Sequence, residues 1–373
     1  MISRAMLLCG FLGAALGLSP GIAVAEKIHA LVVADISPAA GWGIYQPNVQ
    51  FDLVHMQGFF EQNAPDDSLL LEQQVLDTNE IAAPAFILES LDELKPAAND
   101  TVVLYYSGHG GVDDRGSYFE LAGGKLYRDE VRARLRAKNA RLAVLLSDCC
   151  NSRSDGRAQT APRAIFRRPE TFTPLFQSLF VRPEGFVDVT ASAPGQSAFF
   201  TPARQDSGDI PGSLFTKALA SWAEEHAQRE ASWDELVNEV GIEVHQAFRE
   251  AYPQGATFAK GAQLQTDQDV FAREYPGMPP ERGPRVGIAV RDDDDAVKIV
   301  EVVPASPACR AFSLETETYV SLVVGGRVTE VNGARVADSE AFSAAIRGSP
   351  QILRLTIANP GTDPQEFLVR MRY

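Results

Sequence analysis

The sequence predicts an α/β protein built on a mainly parallel sheet sandwiched by helices, followed by a small β-rich domain. Two apolar runs, Thr101-Val-Val-Leu-Tyr-Tyr106 and Arg141-Leu-Ala-Val-Leu-Leu-Ser147, are bounded by Gly or polar turns. Such runs are the mark of strands buried on both faces. Stretches with helical spacing alternate with them, the pattern of a sheet covered by helices. A Pro- and Gly-rich stretch over 274–284 then separates this part from a different pattern, short strands with one helix.

Residues 27–34 read as the first strand. Residues 48–61 have helical spacing, with Phe51, Val54, His55, Gly58 and Phe59 on one face. A second strand over 68–75 precedes a helix over 81–94, with Ile87, Leu88, Leu91 and Leu94 inward. The strand from Thr101 runs into Ser107-Gly108-His109-Gly110-Gly111, and a short hairpin near 118–127 leads to a basic helix over 128–138. The strand from Arg141 runs into Asp148-Cys149-Cys150-Asn151-Ser152. A strand over 185–190 and helices over 213–225 and 233–251 complete the first unit. Domain bounds follow: 1–25 an export signal, 26–273 the α/β domain, 274–284 the linker and 285–373 the β-rich domain.

A chain of 373 residues exceeds one average domain, and 45% hydrophobic content supplies a full core. The formal charge of −15 argues against a nucleic-acid partner and favours cationic peptides or plain solubility. Arg4, the apolar stretch Ala5 to Leu18 and the small-x-small site Ala23-Val24-Ala25 read as a cleaved signal, with Pro20 and Gly21 ahead of the site. The alternative is an uncleaved membrane anchor, since the apolar run approaches the shortest spanning lengths. Cleavage predicts a periplasmic or secreted protein with no integral membrane segment. It leaves Cys149, Cys150 and Cys309, too few for a disulfide framework.

A histidine and a cysteine at the carboxyl ends of separate strands suit a thiolate nucleophile and its imidazole partner. His109 would take the thiol proton and later protonate the leaving amine. The tetrahedral oxyanion needs backbone donors, for which the Gly110 and Cys150 amides are placed. Neighbouring residues of a strand point to opposite sides, so only one of Cys149 and Cys150 can face His109. His29, His55, His226 and His245 have no ligand-like spacing, so no zinc site is expected. Arg291-Asp-Asp-Asp-Asp295 reads as a solvated hairpin turn that lacks the ligand spacing of a calcium loop.

The blocks Tyr106-Ser-Gly-His-Gly-Gly111 and Asp148-Cys-Cys-Asn-Ser-Arg153 resemble those of the caspase-like cysteine peptidases, and within them the metacaspases and their bacterial relatives. The first matches throughout; in the second, Asn151 and Arg153 replace the family's His and Gly. Weaker matches are Ala191-Ser-Ala-Pro-Gly-Gln-Ser-Ala198 and Gly212-Ser-Leu-Phe-Thr216, and the likeness covers about residues 27–270. Its register selects Cys150 as nucleophile, 41 residues after His109, where caspases have about 50. Cys149 is then an inward-packed apolar residue. The resemblance implies a cysteine endopeptidase with a caspase-like fold and polypeptide substrates. It also implies that Asp148 and Ser107 line the specificity pocket, with Asp52 as a third pocket group. Carboxylates there imply cleavage after Arg or Lys. No cofactor is required by this reading; some metacaspases need calcium, which keeps that ion open as an alternative.

The run over 285–373 resembles a PDZ domain of the bacterial periplasmic protease type. Such a domain binds a peptide end by β-augmentation at the loop before its first strand, here Arg285, Val286, Gly287 and Ile288. Gly326 stands where that family often has Asp, residues 312–320 read as an insertion, and Cys309 as a buried core thiol. The rival reading is a catalytically inactive caspase-fold scaffold whose PDZ domain is the working part. A hydrolase of small amides or esters is disfavoured by the attached peptide-binding domain.

Overall fold

The computed structural model describes residues 26–37, 48–77, 81–149, 165–193, 195–201, 212–256, 264–278, 286–304, 306–347, 349, 351–359 and 362–371. The first unit runs β1 (Ile28–Asp35), α1 (Asn48–Glu61), β2 (Leu69–Leu76), α2 (Pro84–Glu93), β3 (Thr101–Gly108), β4 (Gly110–Asp113), β5 (Gly116–Leu121), β6 (Gly124–Tyr127), α3 (Arg128–Arg136) and β7 (Leu142–Cys149). It continues through a single helical turn α4 (Pro174–Phe176), β8 (Gly185–Thr190), α5 (Leu214–His226), α6 (Trp233–Ala251) and β9 (Phe271–Glu274).

Six strands form one sheet in the order β2-β1-β3-β7-β8-β9. All neighbours are parallel except β8 and β9. Every residue of β1, β3 and β7 is buried, which explains why these strands are continuous apolar runs and not alternating ones. One face carries Val103, Tyr105, Val144 and Leu146 against aromatic and aliphatic groups of α1, α5 and α6, among them Phe59, Phe60, Trp222 and Trp233. The other carries Val102, Leu104, Tyr106 and Leu145 against Ile87 and Leu91 of α2, Val131 and Leu135 of α3, and Phe119 and Leu126 of the β4-β5-β6 sheet. This is an α/β sandwich on a mainly parallel sheet, as the strand–helix alternation predicts.

Two elements differ from the sequence expectation. The hairpin near 118–127 is a three-stranded antiparallel sheet, because Gly110 and Gly111 extend into β4 and pair with Phe119 and Tyr118. A Cβ at Gly111 would lie 2.6 Å from the Tyr118 hydroxyl, so the glycine makes the pairing feasible. The antiparallel edge strand β9 occupies what reads as the approach to a linker, and Tyr275 just beyond it is buried and donates to Asp234 (2.7 Å).

The second unit is an antiparallel sheet of β10 (Ile288–Asp293), β11 (Ala296–Val302), β12 (Ala311–Ser313), β13 (Thr318–Val320), β14 (Arg327–Val331), β15 (Ala334–Arg335), β16 (Ile352–Ala358) and β17 (Gln365–Arg370), with α7 (Ser339–Arg347). Its core includes Val297, Val328, Leu353, Leu355 and Val369. The Phe312–Val320 segment forms the β12–β13 hairpin and packs, through Phe312, Leu314 and Tyr319, with Ile242 of α6. Cys309 corrects the expectation of a core thiol: it is half-exposed and donates to the Val303 carbonyl (3.3 Å), while its neighbour Ala308 is the buried residue. Gly326 is held to glycine by crowding, since a Cβ would meet Asn359 and Ile357 at 2.9 Å.

Candidate active site

Parallel pairing aligns the strand ends that carry the candidate residues. Ala34 lies opposite Ser107, Ser107 opposite Asp148, Gly108 opposite Cys149, and Ser147 opposite Thr190. The chain therefore delivers its polar side chains to one edge of the sheet, where a parallel α/β fold keeps its ligand crevice.

His109 leaves β3 at this edge and is 2% exposed. Burial pushes its imidazole down to about 4, so the ring is neutral near pH 7 and able to accept a proton. Its backbone is fixed from beneath: the Tyr106 hydroxyl donates to the His109 carbonyl (3.0 Å) and to Asp35 (3.3 Å). Tyr106 itself stacks on Phe119, with centroids 4.1 Å apart. Gly108 is needed for this approach, because a Cβ would lie 2.6 Å from the Tyr106 hydroxyl and 2.8 Å from Asp35 Cβ. Gly110 opens β4 opposite Phe119 and is partly exposed.

Asp52, Ser107 and Asp148, separate in sequence, meet in one buried polar cluster. Ser107 donates to Asp52 Oδ2 (2.7 Å), and the Ser213 amide donates to Asp52 Oδ1 (2.8 Å). Asp148 Oδ2 accepts from the Ser213 hydroxyl and from the Thr216 amide (3.1 Å) and hydroxyl (2.6 Å). Ser213 also caps α5, so Asp148 sits at a helix amino end, where negative charge is favoured. Burial pushes Asp148 up to about 6 against the lowering effect of these donors. Asp52 is raised well above the carboxylate range, by burial first and by the Asp148 charge second.

Cys149 ends β7 on the opposite face, inside the α2–α3 core, and burial pushes its thiol up to about 11. It is a neutral apolar group there. Cys150 lies outside the described residues, as do Asn151, Ser152 and Arg153.

Sequence reasoning missed several supports of this edge. Ser213 and Thr216 bind Asp148 from 65 and 68 residues away, although a Ser before an apolar helical run is a readable cap signal. Arg128, 2% exposed, donates to Asp188 (2.8 Å), to Ser147 and to the Val189 carbonyl (3.2 Å), tying α3 to the ends of β7 and β8. No sequence signal foretells that tie.

In the second unit, Arg285 lies outside the described residues, Val286 is a core side chain whose carbonyl accepts from Ala308 (2.9 Å), and Ile288 opens the edge strand β10. Gly287 has φ of +83°, and a Cβ there would fall 2.0 Å from that of Ser306, so only glycine fits this loop. Among the described residues no group of three or more His, Cys, Asp or Glu side chains could hold a metal ion, and no helix is long and apolar enough to cross a membrane. Asp292 accepts from the Ser339 amide (2.7 Å), while Asp293 and Asp295 pair with Arg327 and Arg335.

The strand-end histidine and buried acidic cluster on a mainly parallel sheet define a caspase-like α/β unit. A family model described as the caspase domain matches residues 77–267, just over half of the 373-residue chain, and the chain belongs to that family. Comparison with curated proteins finds no match. Among solved structures, the chain is similar to caspase-1 from Spodoptera frugiperda, at 13% identity over 66% of this chain and 88% of that one, with a TM-score of 0.40. The structure titled pro-sf-caspase-1 is similar at 12% identity over 67% and 87%, TM-score 0.39. The HtrA3 PDZ domain bound to a phage-derived ligand is similar at 21% identity over 24% of this chain and 86% of that one, TM-score 0.21.

Proposed function

We propose that this chain is an exported cysteine endopeptidase of the metacaspase type, with His109 as general base and Cys150 as nucleophile, cleaving after Arg or Lys. The observation that carries the specificity is the meeting of Asp52, Ser107 and Asp148 at the same sheet edge as His109. Two buried carboxyls there favour a substrate cation, since a guanidinium or ammonium relieves the cost of keeping them charged. Neutral His109 takes the thiol proton, the thiolate attacks the scissile carbonyl, and the imidazolium returns the proton to the leaving amine. The Gly110 and Cys150 amides are the proposed donors to the oxyanion. The reaction needs no cofactor in this scheme.

The domains are 26–273 for the peptidase and 285–373 for a PDZ module, joined by a linker over 274–284 and preceded by a signal over 1–25 that exports the protein to the periplasm or beyond. Support for the module comes from its sequence pattern, from the glycine-only loop at Gly287 and from the open edge of β10 beside α7. A peptide end would add as a strand along β10. The deciding experiment is turnover of matched fluorogenic peptides that differ only at the residue before the scissile bond. Arg and Lys peptides should be cleaved and Asp peptides not, with activity abolished in Cys150→Ala and His109→Ala and largely retained in Cys149→Ala. Preference for Asp or an apolar residue would overturn the pocket, and loss of turnover in folded Cys149→Ala would move the nucleophile.

A further inference from the structure

The loop that follows β8 begins and ends at the sheet edge that carries the candidate site. It starts beside β7, where the Ala191 amide donates to the Ser147 carbonyl (2.8 Å). It ends at the acidic cluster, where Phe200 bridges Ser213 and the Leu214 amide donates to the Phe199 carbonyl (2.9 Å). Between these ends, side chains of one distant segment, 264–270, bind its backbone at four points, beside local bonds through Thr190 and Gln196 and one from the Tyr252 hydroxyl to the Phe200 carbonyl (2.9 Å). Gln265 donates to the Ser197 carbonyl (3.0 Å) and accepts from the Ser197 amide (2.7 Å). Gln268 accepts from the Phe199 amide (2.8 Å) and donates to the Ala191 carbonyl (2.9 Å). Gln196 reaches back, donating to Asp269 Oδ2 (2.7 Å) and accepting from the Asp269 amide (2.9 Å).

These amides form a clasp in which both partners of each bond are fixed, and Gln268 and Asp269 are 0% and 2% exposed. A clasp of buried side-chain amides has one satisfied geometry and several costly ones. Its far side is held by the second unit. Arg370, at the end of β17 and 4% exposed, donates to the Val270 carbonyl (3.0 Å). Gln351, with its amide turned to satisfy both neighbours, donates to the same carbonyl (2.7 Å) and accepts from Arg370 (2.8 Å). The Arg370 side chain lies across Gly241 of α6, where a Cβ would meet its Cδ at 2.9 Å. The two units also join through Arg310 with Glu235 (2.9 Å) and the Tyr319 hydroxyl with the Glu239 carbonyl (3.2 Å).

We propose that the C-terminal unit braces the edge that carries the candidate site: Arg370 and Gln351 hold the 264–270 segment, whose side chains hold residues 191 and 196–199 of the loop after β8 in place beside it. Gln196, Gln265, Gln268 and Asp269 are positioning residues, acting through the loop and not on the reacting atoms. The contiguous bonds give the second unit a direct mechanical path to that edge, so whatever shifts β17 shifts the loop. The proposal rests on the peptidase reading for its catalytic consequence, and not for the bracing itself.

The test is hydrogen exchange on the intact chain together with steady-state kinetics. Arg370→Gln and Gln351→Ala should each raise exchange of 191–200 by about tenfold, the scale of one lost buried hydrogen bond. Exchange of β3 and β7 should stay unchanged. Gln196→Ala should loosen the same loop with exchange in β16 and β17 unchanged. On a cleavable peptide, all three should raise KM severalfold while kcat changes less. If Arg370→Gln also frees β16 and β17, Gln351→Ala and Gln196→Ala decide. Unchanged loop exchange in Gln351→Ala overturns the brace, and unchanged loop exchange in Gln196→Ala overturns the clasp. A chain that cleaves no peptide yet shows the exchange pattern keeps the brace and removes the peptidase reading.

Discussion

Asp52 and Asp148 reach the same serine from different elements, one through its amide and the other through its hydroxyl. Two carboxyls in one dry space resist double ionisation, and burial adds to that resistance. Asp148 is pushed up to about 6, and Asp52 is raised as well. A carboxyl with a raised pKa is neutral below that value and charged above it, so this buried cluster gains negative charge as pH rises through about 6. His109, with its pKa lowered to about 4 by burial, is already unprotonated across that range and adds no titration of its own there. For an Arg peptide, kcat/KM should therefore fall on the acid side with a midpoint near 6, carried by KM. Asp148→Asn should erase this limb and cost about a hundredfold or more, because it strands a cation beside a weaker partner. A peptide with an uncharged residue before the scissile bond should lack the limb. A flat wild-type profile between pH 5 and 8 on Arg peptides would remove Asp148 from the pocket.

At the scale of elements, legibility followed the source of each element's stability. β3 and β7 are fixed by their own apolar runs and α6 by helical spacing, while α1 buries Val49, Asp52, Met56 and Phe60 beyond the single face that its sequence suggests. β9 is different. It has four residues, only Ala272 is buried, and its Glu274 pairs with Arg132 (3.1 Å) and Arg136 (2.6 Å) of α3, contacts that no local pattern announces. β4 hid behind two glycines, which read as a turn until Tyr118 is seen against Gly111. The site divides the same way. His109, Ser107 and Asp148 sit beside a recognisable strand end, whereas the Gln265 and Gln268 clasp closes over 68 and 69 residues of chain. The helix α6 also carries a testable cost. Glu243 is pushed up to about 8 by burial and by the charges of Glu225 and Glu239. Above the ordinary value of 4.5 the unfolded chain releases this proton while the folded chain retains it, so stability falls as pH rises from about 4.5 towards about 8. Glu243→Gln should raise Tm by a few degrees at pH 8 and by much less at pH 5. Thermal unfolding at the two pH values measures this directly, and an equal shift at both would contradict it.

On the scale of the whole molecule, the chain between β7 and α4 couples the candidate cleft to its own sequence. Arg153, Arg157 and Arg163 lie outside the described residues; Arg167 and Arg168 lie within them and differ sharply. Arg168 is held by Glu61 (2.6 Å) and Asp66, and the neighbouring Phe166 ring lies against Gly58 of α1. Arg167 is exposed. If the cleft takes arginine, these residues are tethered substrates presented at high effective concentration, and how firmly each is held then decides which are cut. Arg168 would have to give up two ion pairs to enter a cleft, and a cut after Arg167 would pull away the Phe166 ring before it and the paired Arg168 after it. Incubated wild-type protein, read by mass spectrometry, should therefore show new termini after one or more of Arg153, Arg157 and Arg163, and none after Arg167 or Arg168. Replacing the two anchors, Glu61→Ala with Asp66→Ala, should release Arg168 and add a terminus there. Cys150→Ala should show no cuts at all; the same cuts in that variant would assign them to a contaminating protease. A wild type that digests Arg peptides in trans yet stays whole would mean that this segment is held out of reach of its own cleft.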